Sequence, residues 1–203
     1  SNLDSIKTDM QAVGQEGLPR RNGSLLCVQM LPDHAVMAET IHNLNLLAWC
    51  DDERTCDIFA TIADRILHME RDFEDNGQSL FYYIYSFAYV AERCGHTSFI
   101  ELLHRLLTVP EFWQPHKNAG LHLRMELLKL LLYRALTRLG DIQGFLGLID
   151  FFNQEQRSLA YAALRELQSL TNSTVGFDAP YYRSWCEKHR SQLKIQKILT
   201  KTW

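Results

Sequence analysis

Two Glu-x-x-His pairs carry the most explicit chemistry in this chain, Glu39-Thr-Ile-His42 and Glu101-Leu-Leu-His104. Residues three apart share one face of a helix, and helical bundles use such pairs to present a di-iron or di-manganese centre. Two further carboxylates would be required, for which Glu70 and Glu92 are the candidates. On that reading the chain is a helical metal-dependent oxidase. A simpler assignment competes: Ser98 and Glu101 form a capping-box pattern, which places the glutamate without any metal. His116 and His122, with Lys117 and Arg124, make a small cationic cluster, but no glycine-rich loop precedes a helix there to cradle a phosphate. Cys94 and His96 are close in sequence, yet nothing implies the oxyanion site a nucleophile needs; Cys94 reads as an apolar residue at a helix end. The signatures of zinc proteases, serine hydrolases, dinucleotide enzymes and P-loop proteins are absent. The balance of these readings is no catalytic residue, no cofactor and no resident metal.

Such residues need elements to position them, and composition says which are affordable. The chain has 203 residues, 46% hydrophobic and 22% charged, which suits one globular domain of ordinary core size. A formal charge of −3, with no dense Lys/Arg run, argues against nucleic acid as a partner. The most apolar stretch, Leu127 to Leu136, is broken by Lys129 and Arg134, so a membrane span is not expected. The five cysteines include no C-x-x-C pair and read as small apolar residues in a reducing, cytoplasmic setting. The N-terminus shows no signal-peptide pattern, and its abrupt start fits a domain of a longer chain.

Apolar residues recur at helical spacing throughout residues 36–203: Met37, Ile41, Leu44 and Ala48; Phe59, Ile62, Ile66 and Met69; Phe81, Ile84, Ala88 and Ala91. The pattern continues to Leu159, Ala163, Leu167 and Leu170, with no convincing alternating run for a strand. Gly95 and Gly140 fall where a left-handed helix end is wanted. Asn153 with Gln156 is a second, weaker capping pattern. Phe87 to Leu107 can be laid on Leu132 to Phe152 at an offset of 45 residues, matching Arg93 with Arg138, Gly95 with Gly140 and Leu103 with Leu148. A two-helix unit of about 40–47 residues is the period of HEAT and armadillo repeats. The expected fold is therefore all-α, with antiparallel helix pairs stacked as a HEAT/armadillo-like α-solenoid. Residues 1–35, punctuated by Gly14, Gly17, Pro19, Gly23 and Pro32, are a linker or N-terminal cap. Residues 108–120 read as a long connection carrying Trp113.

The segment Leu167 to His189, LQSLTNSTVGFDAPYYRSWCEKH, resembles the ending of many bacterial HEAT-like repeat proteins, at Leu170, Thr171, Gly176, Asp178 and Trp185. Asp178 is placed to cap the last helix, with Tyr181 and Trp185 sealing the end of the core. Leu127 to Gly140 together with the opening Leu3 to Arg21 is similar to the helical C-terminal region of some bacterial FAD-dependent oxidoreductases. That resemblance implies a scaffold or lid beside a flavin-binding part and transfers no catalytic or flavin-contacting residue.

The leading functional expectation is a non-catalytic scaffold that docks another protein or a covalently linked domain. The aromatic run Phe81 to Tyr89 holds more rings than one buried stripe needs, so Tyr82 or Tyr89 is expected at the surface. Tyr82, Trp113 and Arg124 are the candidate anchors. The competing enzyme readings are the metal oxidase above and a HEAT-like nucleic-acid glycosylase, which would need a basic concave face.

Overall fold

The computed structural model describes residues 42–49, 54–68, 73–115, 117–190 and 193, and everything below concerns those. Residues 1–35, Glu39, Glu70 and His116 lie outside them. The described chain is all-helical, without a strand. Residues 42–46 are helical and run into a 3-10 turn at Leu47–Trp49. Eight α-helices follow: α1 (Arg54–His68), α2 (Phe73–Cys94), α3 (Phe99–Leu107), α4 (Pro110–Trp113), α5 (Ala119–Arg138), α6 (Ile142–Asp150), α7 (Arg157–Thr171) and α8 (Ala179–His189). None is long and apolar enough to cross a membrane.

Helix ends follow from local chemistry, most clearly between α5 and α6. Gly140 takes φ +87°, its N–H bonds the Thr137 carbonyl, and the Asp141 N–H reaches back to Leu136. This double bond closes the helix in the Schellman manner, and a left-handed residue is what it requires. Asp141 then turns its carboxylate onto the N–H groups of Gln143 and Gly144, so one residue ends α5 and caps α6. Gly95, at φ +66°, ends α2 in the same left-handed region. The capping box expected at the next helix does not form: Ser98 has helical backbone angles and makes no side-chain cap bond. The Asn153–Gln156 pattern fails too, since Gln156 occupies the cap position of α7 without a side-chain bond. Asp178 caps α8 through the Tyr181 N–H, as expected. The connection after α3 is shorter than the sequence suggests, because Val109 and Phe112 are buried and pull Pro110–Trp113 into a helical turn against α5.

Packing departs from the sequence offset in one informative way. Gly144 and Gly147 correspond to Phe99 and Leu102 in the other unit. A Cβ added at Gly144 would stand 2.5 Å from the Thr137 nitrogen and 2.7 Å from the Tyr133 carbonyl oxygen, and one at Gly147 would enter the Tyr133 ring. The two glycines let the backbone of α6 lie directly on α5. This hairpin is accordingly the most intimate in the molecule, while α3 only grazes α2 and turns its apolar face toward α1 and α5. Beyond the hairpins, α2 lies along α5, α5 touches α7, and α6 touches α8. One apolar cluster fills the space among α1, α2, α3, α4 and α5, with Phe59, Phe87 and Phe99 meeting edge to face. A second joins α5, α6, α7 and α8, and Tyr133 packs against both.

The C-terminal end of the core is closed by different residues of α8 from those expected. Tyr182 and Cys186 are buried, whereas Tyr181 and Trp185 are only partly so. The reason is helical phase: Tyr182 points inward, and its O–H donates to the Val175 carbonyl at 2.7 Å. Trp185 lies flat on Phe145, ring centroids 5.6 Å apart, with His189 stacked on its other side at 4.6 Å.

Candidate functional site

The densest polar constellation ties three helices together. Arg138 of α5 grips Glu166 of α7 with two parallel bonds, Nε to Oε1 at 2.6 Å and Nη2 to Oε2 at 2.8 Å. Its Nη1 donates to Oε1 of Glu92 on α2, whose other oxygen accepts from Arg134 Nε at 2.9 Å. The Glu92, Arg138 and Glu166 side chains are only 10%, 17% and 12% exposed. Burial disfavours charge on Arg138, but the hydrogen bonds and fields of Glu166 and Glu92 outweigh it and raise its pKa further, so it stays a cation. Charges held this way orient helices; all four carboxylate oxygens of Glu92 and Glu166 are taken by arginine.

The residues proposed for a metal centre are distributed otherwise. Glu92 is committed to the two arginines. His104 reaches Asp141, Nε2 to Oδ2 at 3.1 Å, linking α3 to the residue that caps α6. Glu101 and His42 are exposed. Among the described residues no three His, Cys, Asp or Glu side chains converge as metal ligands. Cys56, Cys94 and Cys186 are buried free thiols. Burial raises the pKa of Cys56 and Cys186, which keeps both protonated and poorly nucleophilic at neutral pH. The Cys94 thiol donates to the Leu47 carbonyl at 3.6 Å, consistent with its reading as a helix-end apolar residue.

Two of the three proposed anchors change character. Of Tyr82 and Tyr89 it is Tyr89 that is part-exposed; Tyr82, the proposed anchor, is buried at 8% exposure because its position on α2 faces the core beside Ser86 and Val90. Its neighbours instead form a part-exposed ladder at four-residue intervals: Phe81 stacks near Tyr85 and Tyr85 near Tyr89, while Arg93 lies 4.7 Å from the centre of the Tyr89 ring. Trp113 is half-buried and its indole N–H is used by the Leu106 carbonyl at 3.1 Å. Arg124 is exposed, beside exposed Leu123.

Sequence reasoning missed a surface that the fold creates. Tyr161 on α7 and Phe177 before α8 are 53% and 40% exposed, with ring centroids 5.0 Å apart. Phe177 rests edge to face on buried Phe152, which in turn meets Tyr182. Phe177 stands sixteen residues from Tyr161, so no periodic pattern joins them; the available signal was an aromatic on the polar side of α7.

Compared with protein-family models, curated proteins and solved structures, the chain matches none.

Proposed function

We propose that this chain is a non-catalytic scaffold, an α-solenoid of stacked antiparallel helix pairs whose surface docks another protein or a covalently linked domain. The observation that carries the reading is the use of the charged groups. Glu92, Arg138 and Glu166 join α2, α5 and α7, which on this reading are the first helices of successive pairs, so the charges would link neighbouring units. The contact of α6 with α8 supports a second row built the same way. Buried thiols with no disulfide among the described residues fit a reducing, cytoplasmic setting. The resemblance to the C-terminal region of bacterial FAD-dependent oxidoreductases extends the proposal: the docked domain would be a flavin-binding part of the same polypeptide.

Elemental analysis for iron, manganese and zinc, with a visible spectrum of the same purified sample, tests the class. The expected result is a colourless protein with far less than one metal ion per chain. Near-stoichiometric metal, lost on His42→Ala or His104→Ala, would replace the scaffold reading with the oxidase.

A further inference from the structure

The exposed aromatic pair sits within a charged line. Arg157, Tyr161 and Arg165 are spaced by four residues along α7, and all three are exposed. Four residues advance about 6 Å along a helix, so the arginines flank the ring at roughly 12 Å from one another. Arg105, Arg134, Arg138 and Arg183 each hold a carboxylate, whereas Arg157 and Arg165 make no ion pair among the described residues. Phe177 rests on buried Phe152 and meets Tyr161 edge to face, so the pair is positioned before any partner arrives. Rigid aromatics beside exposed arginines are the composition that concentrates binding energy at protein interfaces.

We infer that this stripe of α7, with Phe177, is a docking surface for an acidic segment of another protein, one in which an apolar side chain lies between two carboxylates. Complementary charge selects the occupant. A second copy of this chain would bring arginine against arginine across a two-fold axis. The basic C-terminal residues Lys194, Lys197 and Lys201 would be repelled in the same way. Phosphate backbones would meet only two cations on a chain of net charge −3. An acidic segment satisfies both guanidiniums and covers Tyr161 and Phe177 with its apolar residue. The inference rests on the docking reading above, yet the two fail separately: bound metal overturns that reading, and the following result with metal-free protein overturns this surface alone.

The test uses the full chain and a fluorescein-labelled helical peptide bearing Glu, Leu and Glu at four-residue intervals on an Ala/Gln background. A twin with Lys for Glu and a labelled single-stranded RNA are run beside it. The expected result is saturable binding of the Glu peptide, at least about tenfold tighter than the Lys twin, a difference of about 1.4 kcal/mol. Tyr161→Ala and the pair Arg157→Glu with Arg165→Glu should each weaken it about tenfold or more, with melting curves unchanged because these side chains are exposed. Equal binding of both peptides, no binding of the Glu peptide, or indifference to these substitutions would overturn the inference. So would RNA binding abolished by the arginine changes, or a dimer in sedimentation that Tyr161→Ala dissolves.

Discussion

Arg138→Ala is expected to destabilise the fold by about 3–5 kcal/mol, the range for removing one member of a buried charge cluster. Without the guanidinium, Glu166 loses a bidentate partner and Glu92 keeps only Arg134, while both carboxylates remain nearly out of solvent. The cost arises from those stranded charges more than from the lost attraction. Arg138→Lys should recover only part of it, since an ammonium offers a point charge where the planar fork spans two acids. Urea unfolding followed by far-ultraviolet circular dichroism measures the loss. Replacing Glu92, Arg138 and Glu166 together by apolar residues of similar size should cost less than the single alanine, because the charge then left without its acid is that of Arg134, which is 35% exposed and can be solvated.

The second large effect is expected at Gly144. A valine there should destabilise by about 3 kcal/mol or more, at the upper end of the cost of overpacking. The atoms its Cβ would meet include the Thr137 nitrogen and the Tyr133 carbonyl oxygen, and backbone cannot move aside as a side-chain tip can. The helices would have to separate, opening the second apolar cluster at Phe145 and Leu148. Gly176→Ala is the contrast. Its Cβ would meet nothing within 4 Å and its φ is not positive, so the expected change is within about 0.5 kcal/mol of zero. Thermal unfolding of the two variants in one buffer separates a steric requirement at Gly144 from a general intolerance of glycine replacement.

These two sites also show where sequence reasoning ends. Features set by one helix end and its neighbours were legible: the left-handed glycines at 95 and 140 and the cap at Asp178 follow from residue type at a chain position. The all-helical class followed from apolar spacing in the same way. Features that need a second helix were not. Arg93 and Arg138 occupy matched positions of the offset, yet one lies over its own helix's Tyr89 while the other grips acids from α2 and α7. The difference lies wholly in what packs alongside. The Gly144–Gly147 contact was hidden for a related reason: Phe145 and Leu148 make α6 read as an ordinary apolar helix, and the glycines acquire meaning only against Tyr133. The second Glu-x-x-His pair meets the same boundary. Spacing places Glu101 and His104 on neighbouring turns, but burial leaves Glu101 at the surface and a partner 37 residues away takes His104. Ser98 shows that even a local pattern can go unused, since its backbone turns helical and its side chain makes no cap bond.

The proposed solenoid requires α2, α5 and α7 to stand in one row tied by charge, and the α5 to α7 step is where that proposal is most exposed. A double-mutant cycle on Arg138 and Glu166, with each residue changed to alanine singly and together, measures that tie by urea unfolding. The two residues sit on helices separated by all of α6, so any coupling reports the row and not a hairpin. The account predicts that the double variant loses less stability than the two single losses combined, by about 1–3 kcal/mol. Single losses that add to within about 0.5 kcal/mol would contradict it.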